Sequence, residues 1–186
     1  AQAFTPGQQD GNTPPATFTL DGDPAMVLAT GPIVNRSFEV QTGFLASVAG
    51  FTVEGDGRIV GNLGDTVPTD GARMALVSTG LGLTTTSGSF AQTVCVPPLP
   101  PGATALKLVY DWNFFSEEFT EYCGSKYQDY FQVSFGETIL QSTKVDDLCN
   151  DPGTTLQHLD PAKVSFDKGD VWMTDWKTQT IDVTSL

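Results

Sequence analysis

Short apolar runs alternate with clusters of turn-forming residues along most of this chain. The runs are too short for helices, and Gly, Pro, Asn and Asp separate them. This spacing is typical of an antiparallel β-sandwich or barrel. The predicted strands cover residues 17–20, 25–30, 33–40, 44–53, 58–62, 72–79, 89–96, 104–115, 127–135, 138–141, 163–166, 171–174 and 179–183.

The first 15 residues lack this alternation and contain three prolines. We therefore expect a flexible lead-in over residues 1–15. No second linker follows, so residues 16–186 are predicted to form a single β-sandwich domain. Within it, the acidic segment 116–122 could form a short turn of helix.

Two predicted strands are regular enough to assign their faces. In residues 104–115 the even positions are apolar, so we expect them to face the core. In residues 127–135 the odd positions are apolar except for Asp129. The even set of the first strand is Leu106, Leu108, Tyr110, Trp112 and Phe114.

The composition supports an all-β chain, because Thr occurs 24 times and Gly 19 times, while Glu and Lys occur 6 times each. The formal net charge of −13 makes nucleic acid an unexpected partner. No apolar run approaches the roughly 18 residues of a membrane span, so we expect no membrane insertion. A Thr/Gly/Asp-rich acidic chain is common among bacterial surface proteins, and Ala1-Gln2-Ala3 fits a mature end left by signal cleavage.

Asp129 is the most informative position, because a carboxylate in the core phase needs a partner. One interpretation is that it caps the preceding loop through backbone N–H groups. The other is a cation: five acids and one base, Lys126, occupy residues 111–129, so ion pairing within the segment cannot neutralise it. Carboxylates and loop carbonyls suit Ca²⁺, which accepts six to eight oxygen ligands in irregular loops.

Residues 111–133 (DWNFFSEEFTEYCGSKYQDYFQV) resemble the F-x-F-x-SEE-[YF]-x-EY-x-G-S-x-[YF]-x-D-x-F signature of the bacterial choice-of-anchor L domain, with Gln128 where that pattern has Asn. Residues 35–39 (NRSFE) and 68–71 (PTDG) are similar to the opening of jelly-roll, galactose-binding-like modules. The resemblance implies a secreted or cell-surface jelly-roll β-sandwich with long loops, often calcium-loaded and found in adhesins. It implies metal ligands at Glu117, Glu118 and Asp129, and at a second site formed by Asn35, Glu39 and Asp70.

The last predicted strand, 179–183, has one apolar face and nothing after it. Jelly rolls of this type commonly continue with a further strand pair. We therefore expect an edge that is either incomplete through truncation or completed by strand exchange with another polypeptide.

The three cysteines show no C-x-x-C spacing, which argues against a zinc site or a thiol redox centre. Cys123 and Cys149 both lie in turn-rich acidic sequence, and a disulfide between them would close a loop of about 26 residues. Cys95 lies in a predicted strand. We expect it to be free or to pair with a cysteine after Leu186.

Catalysis is not expected. Glu117 and Glu118 are adjacent, whereas glycoside hydrolysis needs two carboxylates about 5 to 9.5 Å apart across a cleft. His158 is predicted to face solvent in a loop, and no nucleophile elbow accompanies it. Trp172 and Trp176 could stack on sugar rings, but large aromatic residues are mostly buried, so we expect them in the core.

These patterns predict a secreted or cell-surface, non-catalytic, calcium-binding module for adhesion or extracellular assembly. Its partner would be an extracellular ligand, either glycan or protein, or copies of itself. Two alternatives stay open: a carbohydrate-binding module, and a self-polymerising fibre or sheath subunit completed by strand exchange.

Overall fold

The computed structural model describes residues 17–19, 27–29, 33–42, 47–79, 87–164, 166 and 170–186. The predicted lead-in over residues 1–15 lies outside them. The described residues are all-β apart from one short helix, which confirms the predicted class. The strands are β1 (Thr17–Thr19), β2 (Val27–Ala29), β3 (Gln41–Thr42), β4 (Ser47–Val48), β5 (Thr52–Val60), β6 (Met74–Ser78), β7 (Gly88–Ala91), β8 (Lys107–Trp112), β9 (Phe115–Ser116), β10 (Tyr130–Phe135), β11 (Thr138–Lys144), β12 (Leu156–His158), β13 (Trp172–Thr174) and β14 (Lys177–Asp182), and the helix α1 spans Val145–Cys149.

The strands pair in antiparallel ladders. β5 lies between β6 and β7, and β13 lies between β12 and β9. β10 and β11 form a hairpin with a bulge at Val133 and Ser134, while β1 pairs with β2 and β3 with β4. β14 returns to pair with β8, and within the described ranges it has no second ladder partner. The jelly-roll arrangement of these ladders and the single-domain assignment stay predictions.

The core gathers around the end of β8. The predicted inward phase is confirmed for Leu106, Trp112 and Phe114, which are buried, whereas Leu108 and Tyr110 are only partly buried. The Trp112 ring stacks on Phe131 of β10 with ring centroids 5.7 Å apart. The central cluster draws on the acidic loop and on α1 as well as on β8, and it comprises Trp112, Phe114, Phe119, Val145 and Leu148.

A second crowded region lies along β5. Asp56 is only 1% exposed, and its carboxylate forms an ion pair with the guanidinium of Arg58, two residues along the same face. Gly55 has a φ of +59°, and a Cβ atom there would collide with the carbonyl oxygen of Ser87. A Cβ atom at Gly88 would collide with the carbonyl oxygen of Asp56. The backbone approach therefore requires glycine at both positions.

Several predicted elements are wrong. Residues 33–40 form a turn, because Asn35 and Phe38 adopt positive φ values of 52° and 59°. Ser116 ends β9, and residues 117–122 form bends and turns rather than helix. In the predicted strand 163–166, Lys163 and Val164 close a turn by donating to the carbonyl of Asp160.

Two elements were not predicted from the sequence. α1 follows β11 directly, and packing of Val145 and Leu148 in the core stabilises this short helix. β12 places His158 at the end of a strand. In the part of the chain that the structure describes, no helix has the length and apolarity to cross a membrane.

Candidate functional site

The acidic segment forms a loop that joins β9 to β10. Phe119, only 1% exposed, fixes the middle of this loop in the core and packs on Phe114 with ring centroids 5.6 Å apart. Glu117 and Glu118 beside it are half-buried, and Glu121 is exposed. The apolar anchor thus holds the neighbouring carboxylates at defined positions on the surface.

Glu118 and Asp129 meet across this loop. The Glu118 carboxylate accepts a hydrogen bond of 3.0 Å from the backbone N–H of Asp129, immediately before β10 begins. The Glu118 backbone carbonyl accepts from the N–H of Tyr122 at 2.9 Å. Its own N–H donates to the Ser116 hydroxyl at 2.9 Å. Glu118 therefore closes the loop at both ends.

The Asp129 side chain is half-buried, but it lies before the first residue of β10. Tyr127, which was predicted to share its inward phase, is 55% exposed, so the predicted phase does not extend to residues 127–129. Oδ2 of Asp129 accepts a weak hydrogen bond of 3.4 Å from the Thr79 hydroxyl. Burial raises the pKa of this carboxyl above its ordinary value, and the Thr79 hydrogen bond opposes that rise. Of the two interpretations drawn from the sequence, the backbone capping exists with the roles exchanged, because the Glu118 side chain caps the N–H of Asp129.

The predicted disulfide between Cys123 and Cys149 is present, with Cα atoms 6.0 Å apart. It joins the acidic loop to the end of α1. The N–H of Gly124 donates to the Asp146 carboxylate, and the N–H of Asp146 donates to the Gln128 side-chain oxygen at 2.8 Å. The N–H of Val145 in α1 also donates to the Asp129 carbonyl at 3.2 Å, so one covalent bond and three hydrogen bonds connect loop and helix. Cys95 is free and exposed.

The second predicted ligand set lies around the turn at residues 33–40. The Asn35 amide is occupied by its own loop, since Oδ1 accepts from the Val40 N–H and Nδ2 donates to the carbonyls of Val40 and Ala49. The Glu39 carboxylate accepts from the N–H groups of Ala72 and Arg73 at 2.7 and 2.9 Å.

Asp70 is exposed on the turn that the Glu39 carboxylate contacts. The structure thus brings Glu39 and the 68–71 segment together. It directs the Asn35 amide towards backbone groups.

No three His, Cys, Asp or Glu side chains converge as a metal-binding group within the described ranges. Glu118 and Asp129 lie together, but a metal there would need backbone carbonyls or water to complete its shell. In the same part of the chain, neither carboxylate has a Lys, Arg or His within ion-pair distance.

The other residues considered from the sequence have clear surroundings. The His158 ring packs on Trp172 with centroids 4.9 Å apart, and its Nε2 lies 3.4 Å from the Asp170 carboxylate. Trp172 is partly buried against the core cluster, as expected, and Trp176 is also partly buried.

A feature that the sequence reasoning missed lies on the outer face of the β10–β11 hairpin. An open depression of about 390 Å³ is lined by Gln128, Tyr130, Gln132, Ser142, Lys144 and Asp147. Tyr130 is an aromatic residue in the polar, outward phase of β10, and it is 65% exposed. The sequence signal that could have revealed this site is an aromatic residue, Tyr130, on the same face of the strand as Gln132, where the other side chains are polar.

Comparison of this chain with models of protein families, with curated proteins and with solved structures finds no match. Its function is therefore argued from its own residues.

Proposed function

We propose that this chain is a secreted or cell-surface, non-catalytic module that serves adhesion or extracellular assembly. The disulfide between Cys123 and Cys149 is the observation that carries this proposal, because disulfides form and persist mainly in oxidising compartments. The resemblance of residues 111–133 to the choice-of-anchor L domain and the Thr/Gly/Asp-rich composition support the same location.

A binding or assembly role fits the surroundings of the polar groups better than catalysis does. Glu118 holds the loop backbone with its carboxylate, and His158 contacts an aromatic ring and a surface carboxylate. Such contacts favour structural roles for both residues. Nucleophilic catalysis of the triad type would need a nucleophile, a base and an orienting group in mutual contact.

The location is tested by treating intact producing cells with a protease that cannot enter them. The expected result is that the protein is degraded on cells or recovered from the medium, with Cys123 and Cys149 oxidised in unreduced peptide maps. A cytosolic pool with both thiols reduced would contradict the proposal.

We also propose that the site formed by Glu118 and Asp129 binds Ca²⁺. The support is electrostatic: the Asp129 carboxylate is half-buried, and the hydrogen bond that the structure describes for it comes from the neutral Thr79 hydroxyl at 3.4 Å. A cation would be a stronger partner for such a charge, and the Glu118 carboxylate, which accepts from the Asp129 N–H, is the second candidate ligand. Glu117, the residue before Glu118, is the third predicted ligand. Backbone carbonyls of the loop would complete the shell.

The calcium proposal is tested by thermal unfolding in excess EGTA and in millimolar Ca²⁺. A ligand that binds the native state alone stabilises it by RT ln(1 + [L]/Kd), about 3–4 kcal/mol at a few hundred times Kd. We expect a higher melting temperature in Ca²⁺, and we expect Glu118→Gln and Asp129→Asn each to reduce that increase. Identical melting curves in both buffers, with no calcium found by elemental analysis, would refute the site.

Self-assembly is the second candidate function. Within the described ranges β14 has a ladder partner, β8, on one side only. A strand from a second copy could pair with the other edge. Light scattering over a range of concentrations tests it. Growth of oligomers or filaments with concentration supports strand exchange, and a monomer at every concentration counts against it.

A further inference from the structure

The depression on the outer face of the β10–β11 hairpin has an unusual combination of groups. Tyr130 lies directly opposite Lys144, and Gln132 lies directly opposite Ser142, so these four side chains share one face of the ladder. Asp147, in the first turn of α1, completes the rim on the helix side. One exposed aromatic ring is thus surrounded by polar side chains.

These polar groups are available to a ligand. In the described parts of the chain, no hydrogen bond engages the Tyr130 hydroxyl, the Gln132 amide, the Ser142 hydroxyl or the Lys144 amine. Together they offer donors and acceptors in close proximity. In the protein interior such groups would be hydrogen-bonded to one another, whereas on this exposed face they can bond to a ligand.

The backbone at the edge of the depression is held by several contacts. The Asp147 carboxylate accepts from the backbone N–H of Lys144 at 3.0 Å, which fixes the junction of β11 and α1. The Gln128 side chain connects the acidic loop to Asp146. The disulfide at Cys149 holds the far end of the helix. A backbone held in this way needs little reordering on binding, so the entropy cost falls mainly on the side chains that line the depression.

We infer that this depression binds a pyranose unit of a neutral glycan. A pyranose presents C–H groups on one face, which pack on an aromatic ring, and hydroxyls around its rim that both donate and accept hydrogen bonds. Tyr130 supplies the ring, and Gln132, Ser142 and Asp147 supply the partners for the hydroxyls. The volume of about 390 Å³ lies at the small end of the range for ligand sites, about 300–1,000 Å³.

Other ligand classes fit less well. A nucleic acid would require clustered Lys and Arg, and Lys144 is the one base on this rim, next to the carboxylate of Asp147. A protein interface would surround Tyr130 with further apolar contact area, whereas its neighbours across and along the strands are polar. An acidic glycan would be opposed by the net charge of −13.

This inference rests on the proposed adhesion function and names the ligand class for it. The protease-accessibility experiment tests location without any glycan, so location and glycan binding can fail separately. The matched control is Tyr127, which is also exposed (55%) but whose ring contacts Tyr122 and Lys126 outside the depression.

The test is an array of neutral and acidic oligosaccharides, probed with the wild-type protein, Tyr130→Ala, Tyr130→Trp and Tyr127→Ala. The neutral oligosaccharide with the strongest signal is then titrated by calorimetry. We expect Tyr130→Ala to weaken binding at least about tenfold, which corresponds to about 1.4 kcal/mol. The dissociation constants of Tyr130→Trp, which keeps an aromatic ring, and of Tyr127→Ala, which changes a ring outside the depression, should lie within about threefold of the wild-type value. Circular dichroism verifies that each variant is folded.

Four results would overturn the inference, three of them concerning which glycans bind and whether Tyr130 matters. Those three are no binding to any neutral glycan, binding restricted to acidic glycans, and binding that Tyr130→Ala leaves unchanged in a folded protein. Binding lost equally in Tyr130→Ala and Tyr127→Ala would place the ligand elsewhere and would also overturn it.

Discussion

The carboxylate of Glu118 holds the backbone N–H of Asp129, eleven residues further along the chain, at 3.0 Å. This contact spans the acidic loop and fixes where β10 begins. It gives Glu118 a structural role that does not depend on a metal. The hydrogen bond by which Glu118 holds the loop backbone, called the loop clamp below, can therefore be tested separately from the proposed binding of a cation by Asp129.

Removing the Glu118 carboxylate should destabilise the protein even in EGTA. Glu118→Ala leaves the Asp129 N–H without its acceptor, and we expect a loss of about 1–3 kcal/mol in the free energy of unfolding. Glu118→Gln keeps a side-chain oxygen and should lose less. The matched control is Glu121→Ala, since Glu121 is exposed in the same loop. Urea titration measures all three, and equal stability of Glu118→Ala and Glu121→Ala would contradict the clamp.

The Asp129 carboxyl makes stability depend on pH in a defined direction. Burial raises its pKa, so the native state keeps the proton to a higher pH than the unfolded state, whose Asp pKa is about 3.9. The free energy of unfolding should therefore increase as the pH falls from neutral through the raised native pKa towards about 3.9. Above the native pKa the carboxylate is charged in both states, and its burial destabilises the folded protein to the full extent.

Asp129→Asn tests this linkage in EGTA. Since the neutral amide bears no charge to desolvate and can still accept from Thr79, the variant should be more stable than wild type at neutral pH. The difference should shrink as the pH approaches 4. Denaturation at several pH values gives both curves. Parallel curves, or a variant that is less stable at pH 7 without calcium, would argue against a destabilising charge.

The disulfide should contribute substantially to stability. It closes a separation of 26 residues, and the chain-entropy model assigns such a loop about 3 kcal/mol. We expect the double variant Cys123→Ser/Cys149→Ser to lose an amount of that order in urea unfolding. Cys95→Ser is the control, because Cys95 is exposed and unpaired. If reduction of wild type leaves the unfolding midpoint unchanged, the crosslink contributes no stability.

We expect Glu39 to stabilise the turn after residue 70 rather than to bind a metal together with the exposed Asp70. Its carboxylate accepts two backbone N–H groups, from Ala72 and Arg73. Glu39→Ala should cost about 1–3 kcal/mol, because both donors lose their acceptor. Asp70→Asn should change stability by less than about 0.5 kcal/mol, as for other surface substitutions. If calcium protects wild type but neither variant, the second predicted metal site gains support instead.

Period-two patterns predicted the buried residues at the end of β8, but they failed before β10, where Tyr127 was assigned to the inward face and is 55% exposed. The alternation in residues 104–115 identified Trp112 and Phe114 as buried, because each strand position alternates between two environments. The pattern failed at 33–40, where apolar side chains lie in a turn. There the hydrogen bonds of the Asn35 amide and two positive φ values determine the backbone.

The candidate sites were less predictable, because their contacts join segments far apart in sequence. Thr79 meets Asp129 across 50 residues, and Glu39 meets Ala72 across 33. No local pattern encodes such pairs. The disulfide was accessible to sequence reasoning only because two cysteines shared turn-rich acidic surroundings. The Tyr130 depression needed the β10–β11 register and the start of α1, neither of which was predicted.

The crowding around β5 limits how this sequence can drift during evolution. A side chain at Gly55 or Gly88 would meet a backbone carbonyl of the opposing strand, and a main-chain atom cannot rotate aside as a flexible side chain can. Descendants of a common ancestor should therefore retain both glycines even after their surface loops have diverged. The run Gly55-Asp56-Gly57-Arg58, with a glycine about thirty residues later, is a marker by which distant relatives could be recognised.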